Sequence, residues 1–376
     1  MRMFNSIHEH YIHRCITLAE QGRGMVSPNP LVGAVVLDAS GKKIAEGYHP
    51  VSGGPHAEVV ALEKAGKKAK GGTLYVNLEP CNHQGKTGPC TEAIIQAGVE
   101  QVYCGTLDPN PEVAGRGRDK LQNSRISVRY GYLEDECAAL NETFFHNITT
   151  GSPFVSLKLA MTLDGKIAAR GGQSKWITSE ISRQAVHYHR SRHDAILTSA
   201  QTVAHDNPEL TVREIDVPDG FADRKMPTRV ILDRTFRLNP EQYQIFNTQI
   251  VPTWVFTSAV RHNQQHSARA RAMGIEVFEV DDTGIGLDLQ AVVDQLGEMG
   301  VTSIWIETGG RLATQFLKQE LVNKLFLFYA PKILSDTGAR AGFSGVAPFS
   351  LDEATPLRIQ TTQQLEKDLL VVAYPA

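Results

Sequence analysis

The stretch GTLYVNLEPCNHQGKTGPCTEAIIQAGVEQVYCGTL at residues 72–107 decides the fold. Residues 72–80 are β-branched and apolar, as a strand should be, and residues 101–107 repeat that character. Between them CTEAIIQAG (90–98) reads as a helix ending at a glycine, where a left-handed cap is usual. Strand, helix and strand in that order imply a βαβ unit and a layered α/β sheet.

Working outward, the same rhythm continues on both sides. Residues 7–21 place Ile7, Tyr11, Cys15 and Leu18 on one helical face, with Ser6 as N-cap. LVGAVVLD (31–38) reads as a buried strand, and KIAEGYH (43–49) as its neighbour across a turn at Ser40-Gly41. HAEVVALEKAG (56–66) is helical. EDECAALNETFFHNI (134–148) reads as a closing helix, and TTGSPF (149–154) then supplies breakers before a new strand pattern. Two domains are expected, 1–147 and 152–376, with the boundary at about 147–152. In the second, FVSLKLAMT, AILTSA, TRVILD, TWVFTS, EVFEV, SIWIETG and LFLFYAPKIL are strand candidates. Helices are expected at 179–192 and 288–299, among others. There are no repeats and no low-complexity segment.

Composition narrows the function. The 376 residues are 41% hydrophobic and 21% charged, with a formal net charge of −3. That balance argues against a nucleic-acid or membrane-surface binder, while a few local arginines suffice for a small phosphorylated ligand. No apolar run approaches the ~18 residues of a membrane span, and the N-terminus lacks the apolar core of a signal peptide. Five cysteines, an odd number, suit a reducing cytoplasm better than a disulfide framework.

His56 and Glu58 open one helix, Cys81 follows a strand, and Cys90 opens the next helix. Strand ends and adjacent helix starts converge on one crevice in α/β sheets. One imidazole and two thiolates make three tetrahedral zinc ligands with a fourth position open. Glu58 is then the carboxylate that moves a proton rather than a ligand. The pattern resembles H-x-E…P-C-x-x-C of zinc deaminases, although eight residues rather than two separate the cysteines. The plainer alternative is two buried cysteines and a surface histidine; His83 reads first as a solvated loop residue, and otherwise as a rival ligand or a substrate contact.

The second half is less decisive by itself. Gly309-Gly310, between a strand and a helix, suits either a phosphate cradle or an ordinary turn. Arg183, Arg190 and Arg192 share one expected helix and Arg213 follows NPELTV; solvated charge is the commoner role for such arginines. His189 and His193 are spaced i, i+4 with no third ligand nearby. Lys158 shares a strand face with Ser156 and Ala160.

PNPLVGAVV (28–36), PHAEVVAL (55–62) and EPCNHQGKTGPC (79–90) closely resemble the deaminase half of the bifunctional riboflavin-biosynthesis deaminase–reductases, which share the long cysteine spacing. VSLKLAMTLDGKIA (155–168), SKWIT (174–178), AILTSAQTVAHDNPELTVR (195–213) and WIETGGRL (305–312) resemble the reductase half, in the same order. The resemblance implies an N-terminal cytidine-deaminase-like α/β/α domain and a C-terminal dihydrofolate-reductase-like α/β domain using NADPH. It implies that His56, Cys81 and Cys90 bind zinc, that Glu58 shuttles the proton, and that Asn29 holds the pyrimidine. Ser174, Arg190, Leu210, Arg213 and Glu307 are carried over as substrate contacts. Ala160, Trp176, Thr202, Asp206, Gly309, Gly310, Arg311 and Leu312 are carried over to the cofactor. Two departures are visible. Thr308 stands where members often have glycine, and Arg234 where many have a cofactor-site serine, to meet the 2′-phosphate of NADPH or simply point to solvent.

The expectation is therefore a cytoplasmic enzyme of two activities. It would deaminate a diaminopyrimidinone ribosylamine 5′-phosphate and then reduce the ribosyl chain to ribityl, with Lys158 polarising or protonating the opened sugar. A homo-oligomer without nucleic-acid or membrane partners is expected. The rival is a zinc deaminase of another nucleoside or base carrying a non-catalytic C-terminal module.

Overall fold

The structure, a computed structural model, describes residues 6–84, 88–110, 114–213, 226–345 and 350–376. The extreme N-terminus (1–5) and residues 85–87 of the loop between the two cysteines lie outside them. The chain divides into two compact units between Ser152 and Pro153.

The first unit runs α1 (Ile7–Ala19), β1 (Gly33–Leu37), β2 (Lys43–Tyr48), α2 (Ala57–Ala65), β3 (Thr73–Leu78), α3 (Cys90–Ala97), β4 (Gln101–Thr106), α4 (Arg116–Asn123), β5 (Ser127–Arg129), α5 (Glu134–Leu140) and α6 (Glu142–Thr150). Its sheet has the order β2-β1-β3-β4-β5 among the described residues. β1 lies antiparallel to β2 and β3, while β3, β4 and β5 are parallel. Alternation along β1 sends Ala34 and Val36 to the face packed by Ala57, Ala61 and Ile94, and Val35 to the face packed by Ile12 and Leu18. Helices thus cover both faces, which buries β1 completely. The approach of α1 is so close that a Cβ on Gly33 would sit 2.2 Å from the Cys15 carbonyl oxygen. Ser6 caps α1 through its hydroxyl, which accepts from the Glu9 amide at 3.2 Å.

The closing helix differs from expectation. It is two helices, α5 and α6, broken at Asn141. The buried Asn141 amide accepts from the Leu31 N–H at 2.8 Å and donates to the Leu31 carbonyl at 3.0 Å. That exchange draws its backbone out of helical geometry.

The second unit runs β6 (Phe154–Thr162), β7 (Lys166–Ala168), α7 (Glu180–Arg190), β8 (Ala195–Ser199), α8 (Ala200–Asp206), β9 (Thr228–Leu232), β10 (Thr253–Ser258), α9 (Gln264–Ala272), β11 (Glu276–Val280), α10 (Leu289–Glu298), β12 (Ser303–Glu307), α11 (Gly310–Lys318), β13 (Lys324–Ala330), β14 (Arg340–Ala341), β15 (Leu357–Leu365) and β16 (Asp368–Pro375). The main sheet has the order β11-β10-β9-β8-β12-β6-β13-β16-β15. It is parallel as far as β13, and β16 and β15 close it antiparallel. Separate hydrophobic clusters fill its two faces, one around Leu157, Ile304 and Phe316, the other around Ile231, Trp305 and Phe328.

Three details depart from the expected elements. The strand expected through LFLFYAPKIL stops at Ala330, because Pro331 has no N–H to give a ladder and the next residues turn to bond Leu163 and Asp164. Arg192 lies beyond the end of α7. The hairpin β15–β16 was not among the strand candidates, since β15 reads LRIQTTQQL without a buried face.

Candidate active sites

In the first unit the β3–α3 connection and the start of α2 bring three ligand-type atoms together. His56 Nδ1, Cys81 Sγ and Cys90 Sγ all lie within 4.8 Å of one another. Nδ1 is 3.2 Å from Cys90 Sγ and 3.5 Å from Cys81 Sγ. A tetrahedral zinc with bonds of about 2.0–2.3 Å separates neighbouring ligand atoms by roughly 3.5–3.8 Å, so the donor set fits in both chemistry and spacing. The Cys90 N–H, at the start of α3, points at Cys81 Sγ at 3.4 Å. Cys81 is held well below the ordinary thiol range, first by the Cys90 hydrogen bond and then by His56 working against burial, while Cys90 is pushed up by Cys81 and by burial. A divalent cation takes both as thiolates.

Glu58 is 3% exposed, in the first turn of α2. Burial pushes its carboxyl up to about 7, and the Cys81 charge adds to this. A buried acid poised near neutrality is a competent proton carrier.

Asn29 faces the same histidine-lined corner. His49, 2% exposed, has Nδ1 2.9 Å from the Pro55 carbonyl, so Nδ1 carries the hydrogen and Nε2 is an acceptor. The Asn29 amide nitrogen donates to Nε2 at 3.0 Å, which leaves its Oδ1 for a ligand. The His49 and His56 rings meet edge to face at 5.2 Å. His49 escaped sequence reasoning because a single histidine in GYHP carries no spacing signal. Two further buried acids were also missed. Glu79 accepts from the amides of Gly115 (3.0 Å) and Arg118 (3.1 Å), capping α4 from a distant strand. Asp108, at the end of β4, is pushed up to about 6 by burial. His83 is exposed.

In the second unit a cleft of about 1470 Å³ opens along the carboxyl ends of β6, β8 and β12, where ligands of such sheets sit. Every second-unit site residue expected from sequence lines it except Arg234. Arg234 instead forks onto Asp282 at 2.8 and 2.5 Å and donates to the Gly284 carbonyl at 2.7 Å, so it is absent from the cleft wall. The guanidinium there meets a carboxylate 48 positions away, just past β11, a partner invisible in ILDRTFR.

Glu307 is the hub of the cleft. Arg190 donates from Nε to Oε1 at 2.5 Å and from Nη2 to Oε2 at 3.0 Å, and its Nη1 reaches the Thr211 carbonyl at 2.9 Å. Trp305 Nε1 donates to Oε1 at 2.8 Å, and Lys158 Nζ lies 3.8 Å from Oε2. Burial opposes ionisation of Glu307, but Arg190, Lys158 and these hydrogen bonds hold it down to about 2. Burial lowers Lys158, with Glu307 opposing. Ser174 Oγ is 3.4 Å from Asp206. Arg213 is half engaged by Glu209 and Thr211, and the Arg183 guanidinium lies 4.5 Å over the Trp176 ring.

The glycine pair divides its labour. A Cβ on Gly310 would meet the Ala341 carbonyl at 2.3 Å, so that glycine serves packing, whereas one on Gly309 would enter open space. Gly309 therefore leaves a recess at the start of α11, whose first amides have no intrahelical acceptor. A dinucleotide phosphate fits such a recess.

A family model described as the cytidine and deoxycytidylate deaminase zinc-binding region matches residues 5–106, and one described as the RibD C-terminal domain matches residues 153–371. The riboflavin biosynthesis protein RibD of Aquifex aeolicus (strain VF5) is 40% identical over 369 residues, covering 98% of this chain and 99% of that protein. The chain belongs to the RibD family. Among solved structures, Acinetobacter baumannii RibD matches with a TM-score of 0.86 at 34% identity, covering 98% of this chain and 99% of that one. The Thermotoga maritima diaminohydroxyphosphoribosylaminopyrimidine deaminase/5-amino-6-(5-phosphoribosylamino)uracil reductase matches with a TM-score of 0.84 at 38% identity, with the same two coverages. The RibD relation explains why a deaminase-type α/β/α unit and a reductase-type unit share one chain, and the expected fold class stands.

Proposed function

We propose that this RibD-family enzyme deaminates the pyrimidine of diaminohydroxyphosphoribosylaminopyrimidine in its first unit and reduces the ribosyl side chain of the product in its second. The activities are assigned to residues 1–147 and 152–376. The observation that carries the reading is the buried Glu58 carboxylate beside the His56–Cys81–Cys90 triad.

His56, Cys81 and Cys90 would hold zinc, which supplies the Lewis acidity that makes water nucleophilic at neutral pH. Asn29 Oδ1, with its amide nitrogen occupied by His49, accepts from the pyrimidine edge and orients the ring. Glu58 takes the proton of the attacking water and delivers it to the leaving amine, and ammonia departs.

In the second unit NADPH, when bound, would supply the hydride that reduces C1′ of the ring-opened ribose. Ala160, Trp176, Thr202, Asp206 and the segment Gly309-Gly310-Arg311-Leu312 would line that cofactor. Glu307 anchors the substrate beside Lys158, whose ammonium protonates the sugar oxygen as the ring opens. Ser174, Leu210 and Arg213 complete the substrate wall, and Arg190 acts by holding Glu307. The chain is proposed to work in the cytoplasm as a homo-oligomer without nucleic acid. Among the described residues no helix is long and apolar enough to cross a membrane, and none of the five cysteines forms a disulfide.

The test is NADPH oxidation started with the undeaminated ribotide, with Glu58→Gln beside the parent. The variant should oxidise NADPH only from the deaminated compound. Ammonia release without NADPH oxidation from either compound would sink the reductase assignment.

A further inference from the structure

Trp305 is fully buried on β12 and lies outside the cleft wall, yet its indole N–H ends on the cleft carboxylate. The ring is clamped. His189 stacks on it at 5.4 Å and 13°, His193 leans on it at 5.1 Å, and Phe326 lies at 5.0 Å. His193 is itself pinned, Nδ1 to the His189 carbonyl at 2.8 Å and Nε2 to Ser156 Oγ at 2.9 Å. The i, i+4 histidine pair that had no metal role in the sequence thus packs against one indole.

The oxygens of Glu307 show what this packing achieves. Oε1 receives two donors, Arg190 Nε and Trp305 Nε1, and an sp² oxygen has two lone pairs. Oε2 receives one, Arg190 Nη2, and is the oxygen that faces Lys158. The carboxylate is therefore asymmetric, one oxygen saturated and one with capacity left for a ligand.

We propose that Trp305, held by His189 and His193, is a positioning residue of the reductase that locks the Glu307 carboxylate so that Oε2 alone is presented to substrate. The inference rests on the reading of the Glu307 cleft as the reductase site. A donor that saturates one oxygen removes the flipped and tilted arrangements of the carboxylate, so the substrate meets a preorganised acceptor.

Trp305→Phe keeps the aromatic volume and deletes the N–H. The expected result is a rise of about tenfold in KM for the deaminated ribotide, a change in kcat below about threefold, and NADPH binding within about twofold by fluorescence titration. A variant with the parent's KM overturns the proposal, even if its melting temperature falls. A second measurement covers a variant that fails to fold. The chain has three tryptophans, and with ¹⁵N-labelled indoles the Trp305 signal should lie downfield in the parent and move upfield in Glu307→Gln, while that of Trp254 stays in place. A Trp305 signal indifferent to Glu307→Gln also overturns it. If neither parent nor variant oxidises NADPH, the reductase reading has failed, and the indole measurement still reports on the Trp305–Glu307 bond.

Discussion

Arg190 meets Glu307 edge to edge, Nε and Nη2 on the two carboxylate oxygens at 2.5 and 3.0 Å. Only a planar fork makes this double contact while a third nitrogen holds the Thr211 carbonyl. Arg190→Lys should therefore behave as a severe change, lowering reductase kcat/KM by about 10- to 100-fold. Steady-state NADPH oxidation with the deaminated ribotide checks this; a loss below about twofold would show that the fork is dispensable.

The same carboxylate makes stability depend on pH. Its folded pKa, about 2, lies below the ordinary 4.5. Its contribution is accordingly complete above pH 4.5 and is lost as pH falls from there toward 2. Urea titrations between pH 3 and 7 should show a steeper acid loss for the parent than for Glu307→Gln, and parallel curves would remove Glu307 from the account.

The triad and Glu58 separate by metal content. Purified His56→Ala and Cys90→Ala should each lose bound zinc and ammonia release together. Glu58→Gln should keep about one zinc per chain by atomic absorption while deamination falls by roughly a hundredfold or more. A Glu58→Gln protein without zinc would make the glutamate a ligand instead.

Asn141 and Asn77 clamp the loop that carries Asn29. Asn77 donates to the Leu31 carbonyl at 2.9 Å and accepts from the Gly33 N–H at 2.8 Å, and Asn141 takes the Leu31 N–H and shares its carbonyl. Asn141→Ala leaves a buried N–H unpaired, at a cost of about 1–3 kcal/mol. Differential scanning calorimetry should show the loss in the first unit, and the deaminase KM should rise as Asn29 loosens.

Arg234→Ser removes the guanidinium that was a candidate for the 2′-phosphate of NADPH. Because Arg234 is occupied by Asp282 and Gly284, NADPH affinity should change by less than about twofold. A loss of about tenfold or more would place Arg234 on the cofactor after all.

Local chemistry made much of this legible in the sequence. The strand–helix–strand rhythm of 72–107, the Ser6 cap and the His-x-Glu and Cys pattern each depend on residues close in sequence. The elements that escaped depend on distant partners. Asn141 breaks a helix because Leu31, 110 positions away, offers a better bond. β15 has no apolar alternation, since it is exposed along most of its length and its pairing with β16 is what makes it a strand.

By itself the sequence determined which residue types were available, in what order, and hence two α/β units and a zinc-type donor set. Tertiary structure alone decided that Arg190 lines the cleft and Arg234 does not. Arg190 found Glu307 across 117 positions and Arg234 found Asp282 across 48. A guanidinium at either place reads alike along the chain, and its role is settled by the carboxylate that the fold brings within hydrogen-bond reach.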